Sequence, residues 1–132
     1  MTKNQLQSKL DQLWGSTVTK LDIDIILHKI TLNLHLIRSV GVEEFHSVEF
    51  HNVSSYYYAY DMGENRYKAP IREFLELTEI AMVDDDVIRH SNKKNLNYNS
   101  QPNFWLGFWT SILLIEAKTI KINNEIIKIK SN

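Results

Sequence analysis

The side chains best suited to acid–base catalysis or metal binding are five histidines: His28, His35, His46, His51 and His90. None follows the His-Glu-x-x-His pattern or a comparable ligand spacing. His46 and His51 lie five residues apart on a predicted strand, which places them on opposite faces unless a bulge rotates one of them. We therefore expect exposed or hydrogen-bonded structural histidines, and we predict no metal site and no cofactor.

Carboxylates are the next candidates for chemistry. Asp22 and Asp24 share one face of a predicted strand, where acidic side chains ordinarily face solvent. A glycosidase needs two carboxylates across a cleft, one with a raised pKa, and the sequence indicates neither. The run Asp84–Asp86 lacks the alternate ligands, the glycine and the final glutamate of a calcium loop. A solvated loop is the simpler interpretation.

Nucleophiles and phosphate-binding loops are missing from the sequence. The chain has no cysteine, its four glycines lie far apart, and no Gly-x-Ser-x-Gly, Walker or Gly-x-Gly-x-x-Gly motif occurs. We predict a protein that is not an enzyme and has no catalytic residues. An enzyme with His46 or His51 as general base is the alternative that activity assays would have to remove.

Length and charge restrict the partners. The 132 residues fit one globular domain, 1–132, and the net charge of −1 gives no general attraction to nucleic acid or to a membrane surface. The N-terminus has no apolar signal region, and Phe104–Ile115 is shorter than the ~20 residues that span a bilayer. We expect a cytoplasmic protein that binds neither nucleic acid nor membrane, and a homo-oligomer is compatible with the sequence.

The elements that must position these side chains are mainly strands. Apolar and polar residues alternate through Lys20–Ile37 on both sides of a short break, which predicts a β-hairpin. An N-terminal helix is expected over 2–13, with Thr2 as its N-cap. Glu73–Val83 fits a helix or a strand, and its neighbours favour a strand. Residues 84–101 are polar and predict an exposed loop.

Further strands are expected at Phe45–Phe50 and Val53–Tyr60, separated by a bulge near His51 and Asn52. Glu125–Lys130 is predicted to pair with the preceding strand through an Asn-Asn turn. The fold class is α+β, mainly antiparallel β: a single curved sheet or partly open barrel of about six to seven strands with an N-terminal helix. The predicted core is Leu21, Ile23, Ile25, Ile30, Leu32, Leu34, Leu36, Val48, Phe50, Leu113 and Ile115.

Surplus aromatic and acidic residues indicate a protein interface. Tyr56, Tyr57 and Tyr58 alternate faces on a strand, so some of them must be exposed or covered by a partner. Acidic residues could steer a partner to this surface. The predicted partner-binding residues are Tyr56, Tyr57, Tyr58, Glu43, Glu44, Asp84, Asp85 and Asp86.

Five phrases of the chain carry a family resemblance: LWGSTVTKLDID, KITLNLHL, VEFHNVSSYYY, FLELTEI and ILLIEAKTIKI. In this order they resemble the YxiG-like group of small Bacillus proteins and, more loosely, β-rich immunity proteins encoded beside polymorphic toxins. The resemblance implies a non-enzymatic cytoplasmic protein that binds another protein, plausibly a toxin encoded nearby. The alternative function is a small-ligand-binding sheet or barrel, lined by Trp105, Trp109 and the tyrosines.

Overall fold

The computed structural model describes residues 2–60, 75–83, 100–109 and 111–129. Within these ranges one helix precedes a series of antiparallel strands. The elements are α1 (Lys3–Asp11), β1 (Ser16–Asp24), β2 (Lys29–Ser39), β3 (Val42–Tyr60), β4 (Leu75–Leu77), β5 (Glu79–Met82), β6 (Phe104–Phe108), β7 (Ser111–Ile122) and β8 (Glu125–Lys128). The described part of the chain contains no helix that is long and apolar enough to cross a membrane.

The strands form a nearly closed, barrel-like sheet in the order β4-β1-β2-β3-β7-β6-β5, and β8 also pairs with β7. Closure depends on the segment β4–β5, because β4 pairs with β1 while β5 pairs with β6. Only Thr78 separates these two strands. The predicted fold class, with its N-terminal helix and about seven strands, is confirmed, and so is the strand assignment within Glu73–Val83.

Helix α1 packs over this closing segment. Thr2 caps it, since the Thr2 hydroxyl accepts from the Gln5 amide while the Gln5 side chain accepts from the Thr2 amide. Leu6 and Leu10 are buried on its inner side. The Gln7 side chain continues the hydrogen bonding of β5, donating to the Ile80 carbonyl at 3.3 Å and accepting from the Met82 amide at 2.8 Å.

The interior is filled by large apolar side chains from all parts of the sheet. Phe50 and Phe104 pack edge to face with ring centroids 5.0 Å apart. Most of the predicted core is buried, and Leu21 and Ile23 pack against it while partly exposed. The prediction that Ile25 belongs to the core is wrong. Ile25 is 70% exposed, because β1 ends at Asp24 and Ile25 lies in the turn.

That turn breaks the strand pattern for a local reason. The Asp24 carboxylate accepts hydrogen bonds from the amides of Ile26 and Leu27, both at 3.0 Å, and His28 closes the turn with φ at 54°. These bonds replace strand pairing, so the apolar side chains of residues 25–27 point outward from a tip. We call residues 25–28 the hairpin tip.

β3 is one strand of 19 residues rather than the two predicted strands. The expected irregularity near His51 and Asn52 exists: Asn52 has φ at 54°, and the register with β7 shifts between Val53 and Ser55. Pairing with β7 continues on both sides of the irregularity, so the chain bends without ending the strand. The predicted Asn-Asn turn is confirmed, with Asn123 at φ 55°.

Candidate functional site

β3 places the predicted partner-binding residues at its two ends. Glu43 and Glu44 stand at its beginning, while Tyr56, Tyr57 and Tyr58 lie near its end. At ~3.3 Å per residue, a straight strand would separate the two groups by roughly 40 Å. Asp84, Asp85 and Asp86 lie outside the described residues. The sequence prediction of one surface therefore becomes two surfaces, each with its own neighbours.

The first surface surrounds the turn between β2 and β3. Its apolar members are all exposed, and Phe45 is 73% exposed. Opposed residues of antiparallel strands share a face, and the register sets His35 opposite Phe45 and Ile37 opposite Glu43. We call this set the hairpin-end surface: Ile37, Val40, Val42, Glu43 and Phe45.

Phe45 is held in place although it is exposed. Its ring stacks on the His35 imidazole with centroids 4.8 Å apart and an interplanar angle of 15°. The carboxylate of Glu43 lies 3.4 Å from His35 Nε2 on the same face of the two strands. An aromatic ring, an imidazole and a carboxylate are thus presented side by side in a defined geometry.

A chain of hydrogen bonds braces the hairpin end from its other side. Arg38 donates to Glu44 at 2.9 Å and to the Gln12 carbonyl at 3.0 Å. Glu44 Oε1 lies 2.8 Å from His46 Nε2, and the Asn123 side-chain amide lies 3.1 Å from His46 Nδ1. These bonds connect the end of α1, β2, β3 and the β7–β8 turn.

Glu44 is the anionic member of this network. Hydrogen bonds from Arg38 and His46 lower the pKa of Glu44 below its usual 4.5. Its carboxylate is therefore ionised and already satisfied by two side chains of its own chain. Glu43 has the more exposed side chain, at 56% against 33% for Glu44, and is the carboxylate that remains open to a partner.

His46 is poorly placed for general-base catalysis. Both ring nitrogens of His46 are engaged by Glu44 and Asn123. His51 pairs with Lys29 and Thr119 in the register, and its Nε2 lies 3.7 Å from Glu49. Across the described ranges, no group of three or more metal-ligating side chains comes together.

The second end of β3 borders a cleft of about 360 Å³ beside the hairpin tip. Its walls combine aliphatic side chains with two serines, an imidazole and one aromatic ring. The lining residues are Ile23, Asp24, Ile25, His28, Lys29, Ile30, Val53, Ser54, Ser55 and Tyr56. Tyr56 is the one predicted ligand-lining aromatic that borders this cleft, because Trp105 and Trp109 lie elsewhere on β6 and its following turn.

Hydroxyl groups meet next to the cleft. Ser55 Oγ lies 2.6 Å from Ser100 Oγ and donates to Glu116 Oε1 at 3.0 Å. No histidine of the described residues hydrogen-bonds to this cluster, in which the Ser55 hydroxyl donates to a carboxylate. The cluster ties β3 to β7 and to the segment before β6.

The tyrosines occupy both faces of β3. Tyr56 and Tyr58 oppose Ile115 and Leu113, while Tyr57 opposes Leu114. All three are about half exposed, at 45%, 50% and 53% for Tyr56, Tyr58 and Tyr57. The core therefore includes Ile115 and Leu113 on β7 but does not extend along the same face to Tyr56 and Tyr58 on the neighbouring strand.

In the described part of the chain, no strand pairs with the second edge of Ser54–Tyr60, which we call its open edge. β2 begins at Lys29, opposite His51, and the last bond to the hairpin joins the Val53 amide to the His28 carbonyl at 2.9 Å. Beyond that point, β7 is the strand with which this segment pairs in the described structure.

Sequence reasoning missed Phe45 and the hairpin tip as surface features. Phe45 differs in parity from the buried Val48 and Phe50, and this difference is visible in the sequence. The tip is visible as three consecutive apolar residues, Ile25–Leu27, where alternation fails. Both signals need the strand boundaries to be known before they can be interpreted.

Comparison with known proteins gives one family. The family model described as YxiG-like protein matches residues 6–127, from α1 to β8. The relative named "Uncharacterized protein YxiG", from Bacillus subtilis (strain 168), is 26% identical over 113 residues, which cover 84% of this chain and 81% of the relative.

Proposed function

The chain belongs to the YxiG-like protein family, and we propose that it is a protein-binding module whose partner docks on the hairpin-end surface. The observation that carries this proposal is Phe45, an aromatic ring 73% exposed on a strand whose end is braced on its other side. Aromatic residues dominate the binding energy of protein interfaces when a partner covers them. A ring that is mostly exposed contributes little burial to the isolated fold and keeps most of its apolar surface for a partner.

The brace makes the surface suitable for binding. Arg38, Glu44 and His46 fix the ends of β2 and β3, so the hairpin end loses little freedom when it is covered. The exposed side chain of Ile37 adds apolar area on the face that carries Phe45. Exposed apolar side chains with a charged rim are typical of a docking site.

Glu43 supplies the charge at the rim. It lies opposite Ile37 in the register. Arg38 hydrogen-bonds to the carboxylate of Glu44 and not to that of Glu43. An exposed rim carboxylate accelerates encounter with a basic partner more than it tightens the final complex. The proposed partner therefore has a basic surface around an apolar pocket that accepts Phe45.

The partner class that we propose is a toxin, with this chain acting as its non-enzymatic cytoplasmic immunity protein. The resemblance to small β-rich immunity proteins supports this class, and the acidic rim suits a basic nuclease toxin. The test is binding of the purified product of a neighbouring toxin gene, followed by growth of cells that express both proteins. Binding and protection are expected, and their joint absence would refute the toxin partner.

Phe45→Ala is the decisive variant for the surface. We expect at least about a 30-fold loss of affinity, corresponding to ~2 kcal/mol at an aromatic hot spot. Ile126→Ala is the control, because Ile126 is 64% exposed on β8, a strand that contributes no residue to this surface. Equal affinities for the two variants would remove the hairpin end as the docking site.

Glu43→Lys tests the rim. We expect a slower association rate and a weaker dependence of that rate on salt, with a smaller change in the dissociation rate. Stopped-flow binding at several ionic strengths measures both. A dissociation rate that rises while association is unchanged would place Glu43 inside the interface core.

A second candidate function is small-ligand binding in the cleft at the hairpin tip. Its volume of about 360 Å³ lies within the range of small-molecule sites. The fluorescent probe 8-anilinonaphthalene-1-sulfonate tests it directly. Binding that disappears in Ser54→Trp, which fills the cleft from an exposed position, would support this function, and binding unchanged by that variant would exclude the cleft as the site.

A further inference from the structure

Among the residues of Ser54–Tyr60 there is none of the charged or proline side chains that often protect a strand edge. Its sequence, Ser-Ser-Tyr-Tyr-Tyr-Ala-Tyr, contains no charge and no proline. β8, by contrast, carries Glu125 and Lys128 within its four residues. Unpaired backbone amides and carbonyls along a neutral strand form a template for another strand.

We infer that this edge pairs antiparallel with the same edge of a second copy of the chain, with the two-fold axis at Tyr57. The inference goes beyond the proposed function, since the hairpin-end surface lies at the other end of β3. A two-fold interface brings one patch against itself, so the patch must tolerate its own charges. Ser54–Tyr60 meets this requirement because it has none.

The register follows from symmetry. Tyr57 is the midpoint of Ser54–Tyr60, so the axis at Tyr57 uses the whole open edge. Tyr57 then opposes Tyr57 of the second copy, on the face that it shares with Leu114. Tyr56 opposes Tyr58 of the second copy on the other face. Directly opposed aromatic residues stabilise a strand pair, and half-exposed tyrosines would become covered.

The same register also accounts for the cleft. Tyr60 of the second copy would lie opposite Ser54, which lines the cleft together with Ile25 and Ile30. The cleft stands where β2 would continue if it did not turn at the hairpin tip. An added strand beside β3 therefore enters a space that already has apolar walls, and it would partly cover the exposed tip.

Disulfide cross-linking tests both the pairing and the register, because the chain has no cysteine of its own. Opposed residues of antiparallel strands have Cα atoms about 4.5–5.5 Å apart, within the ~4.4–6.8 Å that a disulfide requires. Tyr57→Cys should therefore form a covalent dimer on mild oxidation.

The matched controls are Ser55→Cys and Ala59→Cys. Each should form no covalent dimer alone, since two copies of the same residue would be displaced by about 13 Å along the strands. A mixture of the two variants should form the mixed dimer, because Ser55 opposes Ala59 in the inferred register.

The mass in solution gives the second readout. Light scattering of the unmodified chain should give twice 15.5 kDa, and Tyr57→Lys, which opposes two like charges, should weaken association at least about tenfold. Phe45→Ala should leave the dimer unchanged. A monomer, or a dimer without the Tyr57→Cys cross-link, would overturn the inference, and so would cross-linking of Ser55→Cys or Ala59→Cys alone as readily as Tyr57→Cys.

Discussion

The two parts of β3, Val42–His51 and Val53–Tyr60, differ in how many neighbours they have. The first pairs with β2 throughout and with β7 from Val48 onward, and it buries Val48 and Phe50 completely. The second pairs with β7 on one edge in the described structure and leaves its tyrosines half exposed. Residues of similar apolar character thus contribute to stability in one part and remain available for contact in the other.

This difference shows that strand propensity and burial are separate properties. Tyr56–Tyr58 and Phe45–Phe50 are equally suited to a strand by composition. Burial depends on whether other elements stand across from the side chain, and for Phe50 that element is β6, through Phe104. Tyr56 and Tyr58 share a face with the fully buried Ile115 and Leu113 and are nevertheless half exposed.

The largest expected effect is a loss of folding stability when a buried side chain of Val42–His51 is truncated. Phe50→Ala should lower the free energy of unfolding by about 3–5 kcal/mol, because it leaves a cavity against Phe104. Tyr58→Ala should lower it by about 1 kcal/mol or less, since half of the ring is already in water. Urea unfolding at the lowest practical protein concentration, where association does not contribute, measures both.

Equal losses of unfolding free energy for Phe50→Ala and Tyr58→Ala would contradict the difference between the two parts of β3. They would mean that the tyrosine end is packed as tightly as the core. Leu114→Ala is a useful third variant, because Leu114 opposes Tyr57 on the other face and is partly buried.

Substitution of Asn52, which lies between the two parts of β3, should have an effect of intermediate size on the free energy of unfolding. Asn52 has φ at 54°, which a β-branched residue adopts with difficulty. Asn52→Val should lower the free energy of unfolding by about 1–2 kcal/mol. Asn52→Gly, the matched control, should change it by about 1 kcal/mol or less, because glycine accepts this conformation. If valine and glycine were equally tolerated, the bend would not depend on the conformation of Asn52.

The smallest expected effect concerns Glu44. Its pKa is lowered in the folded protein by Arg38 and His46, so its ionised form stabilises the fold. That stabilisation is present above the unfolded pKa, near 4.5, and is lost as the pH falls through the lower folded value. Glu44→Gln should therefore flatten the dependence of stability on pH below about 4.5.

Thermal unfolding of Glu44→Gln and the unmodified chain between about pH 3 and pH 7 provides the measurement. Glu43→Gln is the control, since Glu43 lies outside the Arg38 hydrogen bonds. Identical pH profiles for Glu44→Gln and the unmodified chain would show that the brace does not act through the charge of Glu44.

Much of the scaffold was predictable from alternation. Ile30, Leu32 and Leu34 are buried as their parity indicates, because a strand with one wet face must place every second residue inside. Ile25 continues the parity of Leu21 and Ile23 and is exposed, because the Asp24 side chain forms a turn that ends β1. Local hydrogen bonding of one carboxylate overrode a pattern that was otherwise reliable.

The candidate site was predictable in part. The tyrosines were correctly placed on a strand, but β3 begins at Val42, before the predicted start at Phe45, and so includes Glu43. The separation of Glu43 from the tyrosines along one long strand was not foreseen. The prediction of two strands at Phe45–Phe50 and Val53–Tyr60 allowed them to lie side by side. The single strand β3, continuous through Asn52, holds them apart.

The sequence by itself determined the fold class, the hairpins and the sides of the strands that face the core, because these depend on residue periodicity and on turn residues close in the chain. Tertiary structure decided which apolar residues stay exposed. Phe45, the hairpin tip and the tyrosines depend on where neighbouring strands begin and end, and pairing between residues distant in sequence sets those positions. Burial is a property of what lies across from a side chain, and periodicity reports only the direction in which that side chain points.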